Sequence, residues 1–138
     1  MAQAKRVSFD YDNTLSWYRF DKGIAEKFMT IIQTLHFHGY EVWITTARVY
    51  DTSEVRYNNN ELYTVANDLG IFEEHIIFTG ELYCKSGHLK DKGFIFHLDD
   101  NPKEVKEISE NCEVSAIDFN DEEWAIQISE LIPELNVG

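Results

Sequence analysis

Arg6-Val7-Ser8-Phe9-Asp10-Tyr11-Asp12-Asn13-Thr14-Leu15 is the stretch on which the fold turns. Arg6 to Phe9 has the composition of a short strand, and it ends abruptly in the carboxylates of Asp10 and Asp12. A buried strand that delivers polar side chains at its C-terminal end has this form.

Downstream, helical and strand patterns alternate. Ile24, Ala25, Phe28, Ile31, Ile32 and Leu35 recur at three- and four-residue spacing, which predicts an amphipathic helix from Lys22 to His38, stopped by Gly39. Glu41 to Thr46 (EVWITT) reads as a second strand whose apolar, β-branched run suits burial on both faces. A loop follows. A second helix is expected over Glu61 to Leu69, with Asn60 as its cap and Gly70 as its end. Further strands are expected at Ile76–Phe78, Phe94–Leu98 and Val114–Ile117, with helical pieces at Ser86–Lys92, Pro102–Asn111 and Glu122–Leu131. Strands separated by helices imply right-handed crossovers, and so an α/β, Rossmann-like parallel sheet of five strands with helices on both faces.

The 138 residues, 43% apolar and 14% aromatic, are read as one domain able to bury a core without staples. A formal net charge of −13 would repel a phosphate backbone, so nucleic acid is disfavoured as a partner. Cys84 and Cys112 form no CxxC pair and are expected as reduced, core-filling thiols. The opening MAQAKRVSFD carries no apolar signal region, and no long apolar run follows; a soluble, cytoplasmic protein without membrane contact is the expectation.

In open parallel sheets, ligands bind beyond the carboxyl ends of the strands. Asp10 and Asp12 follow the first strand here, Thr45 and Thr46 end the second, and Asp99 and Asp100 follow the fourth. Carboxylates brought together this way repel one another unless a cation neutralises them, which implies a hard divalent ion. In this order and on these elements, the residues resemble the haloacid dehalogenase superfamily. Its first motif, Asp-x-Asp-x-Thr/Val-Leu after an apolar strand, is matched by Asp10-Tyr11-Asp12-Asn13-Thr14-Leu15. Its Thr or Ser ending the second strand is matched by Thr46, its lysine ahead of the fourth strand by Lys85, and its acidic pair by Asp99-Asp100. Asn13 stands where many members have glycine, and asparagine also tolerates a left-handed backbone.

The resemblance implies a Mg²⁺-dependent phosphohydrolase without a substantial cap domain, since each interval between motifs is mostly consumed by one helix and its loops. Asp10 would be the nucleophile that forms an aspartyl-phosphate, and Asp12 the general acid and base. Magnesium would be held by Asp10, the Asp12 carbonyl and Asp99, with Asp100 either a ligand through water or a partner for Lys85. Thr46 would bind phosphoryl oxygens and Lys85 would offset charge, with Lys90 and Lys92 as competing lysines. Arg48 reads equally as a substrate contact or a surface residue, the five histidines as structural or solvent-facing, and Trp17, Tyr18 and Phe20 as a flap or as core. The expected partner is a phosphorylated small metabolite or phosphoprotein. Alternatives on the same chain are a phosphotransferase, a catalytically idle interaction protein, and a receiver domain, the last disfavoured because the third strand ends in Phe78-Thr79-Gly80 without a phospho-acceptor.

Overall fold

The expected alternation is present in the computed structural model, which describes residues 5–50 and 59–136. Its strands are β1 (Arg6–Phe9), β2 (Glu41–Thr46), β3 (Ile76–Phe78), β4 (Phe94–Asp99) and β5 (Ser115–Asp118). The helices are α1 (Lys22–Phe37), α2 (Asn60–Asp68), α3 (Lys85–Leu89), α4 (Pro102–Asn111) and α5 (Trp124–Leu131). Short 3-10 turns add Leu15–Arg19, Glu73–His75 and Pro133–Asn136, which the periodicity did not indicate.

All strand pairings are parallel, in the order β3-β2-β1-β4-β5. Two crossovers carry the chain from β1 out to β3; the next returns it to the far side of β1, so the winding reverses between β1 and β4. That reversal opens the crevice in which doubly wound sheets bind ligands. The order also separates this chain from receiver domains, whose flavodoxin-like sheet runs 2-1-3-4-5.

Helices cover both faces. Val7, Phe9, Val42, Ile44, Phe96 and Leu98 point to one face, where they pack with α1, α2 and α5. The other carries a smaller cluster of Leu89, Phe94, Ile108 and Val114, with Trp43 and Ile77 against it. Side chains alternate along a strand, so Ser8, Thr45 and His97 point to this second face. In β4 the alternation slips once. Arg6 pairs with Phe94 and Ser8 with His97, so two steps along β1 match three along β4. This β-bulge explains why Phe94 joins the smaller cluster while Phe96 joins the larger.

Boundaries differ from expectation where side chains prefer a tertiary partner. α2 starts at Asn60, which is therefore not its cap; the flanking Asn59 makes no cap bond and gives its amide to the Val49 carbonyl at 3.1 Å. α3 begins at Lys85 and stops at Leu89, because Asp91 (φ 60) and Gly93 (φ 82) turn the chain left-handed. α5 begins later than expected, since Asp121 Oδ1 accepts the Glu123 amide at 2.9 Å and closes a turn there. The loop expected after β2 falls partly on residues 51–58, outside the described residues. Cys84 and Cys112 are free and half-buried; Cys112 packs against the smaller core cluster, as expected of a core filler. Trp17 and Phe20 are exposed, while Tyr18 packs partly against the core. Among the described residues, no helix is long and apolar enough to cross a membrane.

An aromatic knot ties β1 to the helices above it. Phe28 of α1 meets Phe9 edge-on at 5.9 Å, stacks on Phe119 at 5.9 Å and lies 5.3 Å from Trp124. Phe28→Ala should therefore cost about 3–5 kcal/mol, the range for emptying a buried phenyl site. Urea unfolding checks this, and a loss below about 1 kcal/mol would show that the knot does not hold α1 to the sheet.

Candidate active site

Asp10 is the first residue beyond the central strand, anchored by its amide on the Leu98 carbonyl at 2.8 Å. The chain then turns sharply. Asn13 adopts φ 58, the left-handed conformation that asparagine tolerates, and the Thr14 and Ser16 amides return to the Tyr11 carbonyl. Thr14 Oγ1 donates at 3.3 Å to both Asp10 Oδ2 and Asp100 Oδ1, linking the first acidic motif to the second.

Lys85 arrives from the opposite side. Thr79 and Gly80 anchor on the Thr46 and Arg48 carbonyls, Gly80 turns at φ 76, and Tyr83 is held left-handed at φ 63. Glu104 Oε1, from the first turn of α4, accepts the Tyr83 amide at 2.9 Å and so stabilises a backbone conformation that a bulky residue rarely adopts. The lysine that follows lies buried with its ammonium 2.9 Å from Asp10 Oδ1, 2.6 Å from Asp99 Oδ2 and 3.6 Å from Glu104 Oε2. Of the competing lysines, Lys90 ends α3 at the surface and Lys92 offers its carbonyl to Arg6.

Asp99 ends β4 with both oxygens engaged. Oδ2 meets Lys85 and His97 Nε2, the latter at 2.8 Å, while Oδ1 accepts the Asn101 amide at 3.1 Å. Asp100 is not the lysine's partner: its side chain takes the Thr14 hydroxyl, and its carbonyl accepts from Asn120. Neither acid caps α4, because Asn101 does so by accepting the Lys103 amide. One ligand oxygen from each of Asp10, Asp99 and Asp100 falls within 4.8 Å of the others, an all-oxygen set that fits a hard divalent ion.

These groups surround a cavity of about 200 Å³, lined also by Asp12, Asn13, Ala47, Leu82, Asn101 and Glu104. At about 30 Å³ per liquid water, it has room for a cation, its waters and a phosphoryl group. Thr46 does not line it; its hydroxyl accepts the Arg48 amide at 3.2 Å, and Ala47 takes the wall position. Asp12 stands at the rim, both oxygens gripped by the Arg48 guanidinium at 2.7 and 2.9 Å. Arg48 also reaches Glu61 at 2.8 Å and lies over the Tyr11 ring.

Burial drives the electrostatics. It pushes the Asp10 carboxyl well above its ordinary range, against the Lys85 ammonium and with the help of the Asp99 carboxylate beside it. Burial opposes ionisation at Asp99 too, but the hydrogen bond from His97 and the charge of Lys85 outweigh it and hold that carboxyl well below the usual range. For Lys85, burial is overcome by Asp10 and Asp99, which keep it protonated. His97 is fully buried, and that burial, with Lys85 nearby, pushes its pKa down and leaves the ring neutral.

Sequence reasoning missed two of these residues. Glu104 carried no signal beyond an acid in the first turn of a helix, where the helix dipole alone explains it. His97 did carry one: a polar residue two positions before Asp99, on the same face of a strand otherwise apolar. No family model matches the chain, and no curated protein does.

Two substitutions separate the opposing charges. Lys85→Met should destabilise by about 3–5 kcal/mol, because it leaves buried carboxylates uncompensated. Asp10→Asn should stabilise the protein in magnesium-free buffer at neutral pH. A carboxyl whose folded pKa is raised contributes its full stability below its unfolded pKa and loses it as pH rises through the folded value. The gain from Asp10→Asn should thus shrink on approach to about pH 4. Urea unfolding across pH tests both; a neutral-pH loss for Asp10→Asn would contradict the account.

Proposed function

We propose that this chain is a magnesium-dependent phosphomonoesterase that works through an aspartyl-phosphate on Asp10. The observation that carries this reading is convergence: Asp10, Lys85 and the Asp99-Asp100 pair, from three distant stretches of chain, meet in one cavity at the β1–β4 reversal. The resemblance of the same residues to the haloacid dehalogenase superfamily points the same way.

The chemistry follows from what each group can do. An Asp10 carboxylate oxygen attacks the substrate phosphorus as the bond to the leaving oxygen breaks, and Asp12, protonated from solvent on the oxygen released from one of its two Arg48 contacts, gives that oxygen its proton. Asp12 then takes a proton from water, whose oxygen attacks the same phosphorus, frees inorganic phosphate and restores Asp10. Arg48 fixes Asp12 at the rim, where the leaving group would stand once a cation, its waters and the phosphoryl group fill the cavity. Lys85 lies against the nucleophile, so its charge offsets that of the transferring group. Asp10, Asp99 and Asp100 would hold Mg²⁺, which when bound neutralises charge on the phosphoryl oxygens and keeps Asp10 ionised. A substrate that carries its phosphate on a small metabolite or an exposed protein side chain suits this shallow site. The net charge of −13 disfavours a nucleic-acid end.

Phosphate release from p-nitrophenyl phosphate and a panel of phosphorylated metabolites, with and without magnesium, tests the proposal. Turnover should require magnesium, vanish in Asp10→Asn and fall about 10²- to 10⁴-fold in Asp12→Asn. Turnover that survives in Asp10→Asn would remove Asp10 as the nucleophile.

A further inference from the structure

Behind the site, on the second face of the sheet, runs a line of fully buried polar side chains that the proposed reaction does not use. Thr45 Oγ1 lies 2.7 Å from Ser8 Oγ, Ser8 Oγ lies 2.8 Å from His97 Nδ1, and His97 Nε2 lies 2.8 Å from Asp99 Oδ2. The three side chains come from adjacent strands, β2, β1 and β4, at positions where a parallel sheet covered on both faces ordinarily carries aliphatic residues.

The direction of the bond at the Asp99 end of this line follows from its partners. Asp99 is ionised and can only accept, so His97 Nε2 must carry the hydrogen. At Nδ1 the ring meets Ser8, and Ser8 meets Thr45, two hydroxyls that can each donate or accept, so every polar atom of the line is partnered in a water-free interior. Its terminus is Asp99 Oδ2, the oxygen that also takes the Lys85 ammonium at 2.6 Å.

We infer that His97, as the tautomer protonated at Nε2 and backed by Ser8 and Thr45, is a positioning residue that fixes Asp99 and thereby aims the Lys85 ammonium at Asp10. The inference rests on the reading of Asp10 as nucleophile for its catalytic consequence, but not for its geometry. An ammonium on a four-carbon stem has many rotamers, and Asp99 is its shortest contact. His97 and the Asn101 amide hold that carboxylate from both sides, leaving it one orientation.

The test uses the full chain with His97→Leu, which removes the donor at similar volume, His97→Gln, whose side-chain amide can still donate to Asp99, and Ser8→Ala, which removes the backing. Long-range ¹H–¹⁵N correlation spectra should show the Nε2–H tautomer of His97 in the wild type. The shielded Lys85 ammonium resonance should be visible in the wild type and His97→Gln but lost or displaced in His97→Leu. With p-nitrophenyl phosphate, kcat should fall about 10- to 100-fold in His97→Leu, as for loss of partners that orient a metal site, while KM changes little. His97→Gln should recover most of that loss, and Ser8→Ala should fall between the two. An Nδ1–H tautomer in the wild type, or an unmoved Lys85 resonance in both His97→Leu and Ser8→Ala, would overturn the inference whatever the activity. Absence of wild-type turnover with these spectra as expected would count against the proposed reaction and leave the positioning intact.

Discussion

The Lys85 ammonium, lodged among Asp10, Asp99 and Glu104, is the contact on which the remainder of the site depends. Two unit charges 4 Å apart attract by about 4 kcal/mol at an effective dielectric of 20. Desolvating each ion costs several kcal/mol, so a single buried pair gains little. An ammonium shared among several carboxylates spreads its own desolvation over several attractions, while each acid still bears its own, and at Asp10 that burial outweighs the attraction. β1 and β4 can therefore end side by side in acids at the bottom of a crevice. The acids still outnumber the amine, and the residual negative charge favours a hard cation.

Much of the surrounding backbone serves to deliver that one group. α3 is too short to stand on its own helical propensity, and its start is fixed by the left-handed Tyr83 and by Glu104 holding the Tyr83 amide. Glu107, one turn further along α4, takes the Ser86 amide at 3.1 Å and its hydroxyl as well. The start of α3 is thus braced against the first two turns of α4 by acids that are easily mistaken for solvent-facing residues.

The parts that were legible in the sequence are those governed by short-range pattern. The strand run before Asp10, the 3.6-residue spacing of α1 and the prolyl start of α4 each follow from local rules, and Asn13 at φ 58 matches its known tolerance. The choice among Lys85, Lys90 and Lys92 was not local. It is decided by where the turn through Gly80 and Tyr83 directs the chain, and no periodicity encodes that. Thr46 shows what local position leaves out: it ends β2 as expected, while its hydroxyl accepts the Arg48 amide and Ala47 takes the cavity wall. Arg48 in turn engages Asp12 and Glu61, partners 36 and 13 residues away along the chain.

The bulge in β4 acts as a parity switch. Phe94 and His97 are an odd number of residues apart and yet serve the same side of the sheet, because the extra residue between them absorbs the change of sign. Were the extra residue kept but pleated regularly, with no bulge to absorb it, every later side chain would be inverted: Phe96 and Leu98 would be the ones to change sides, and His97 and Asp99 would face the aromatic knot instead of the amine. The geometry at one end of the strand is thus conditional on a miscount at the other. Deleting the extra residue together with the bulge would leave Asp99 on its counter-charge, whereas flattening the bulge alone would disconnect the two while leaving every residue of both motifs in place.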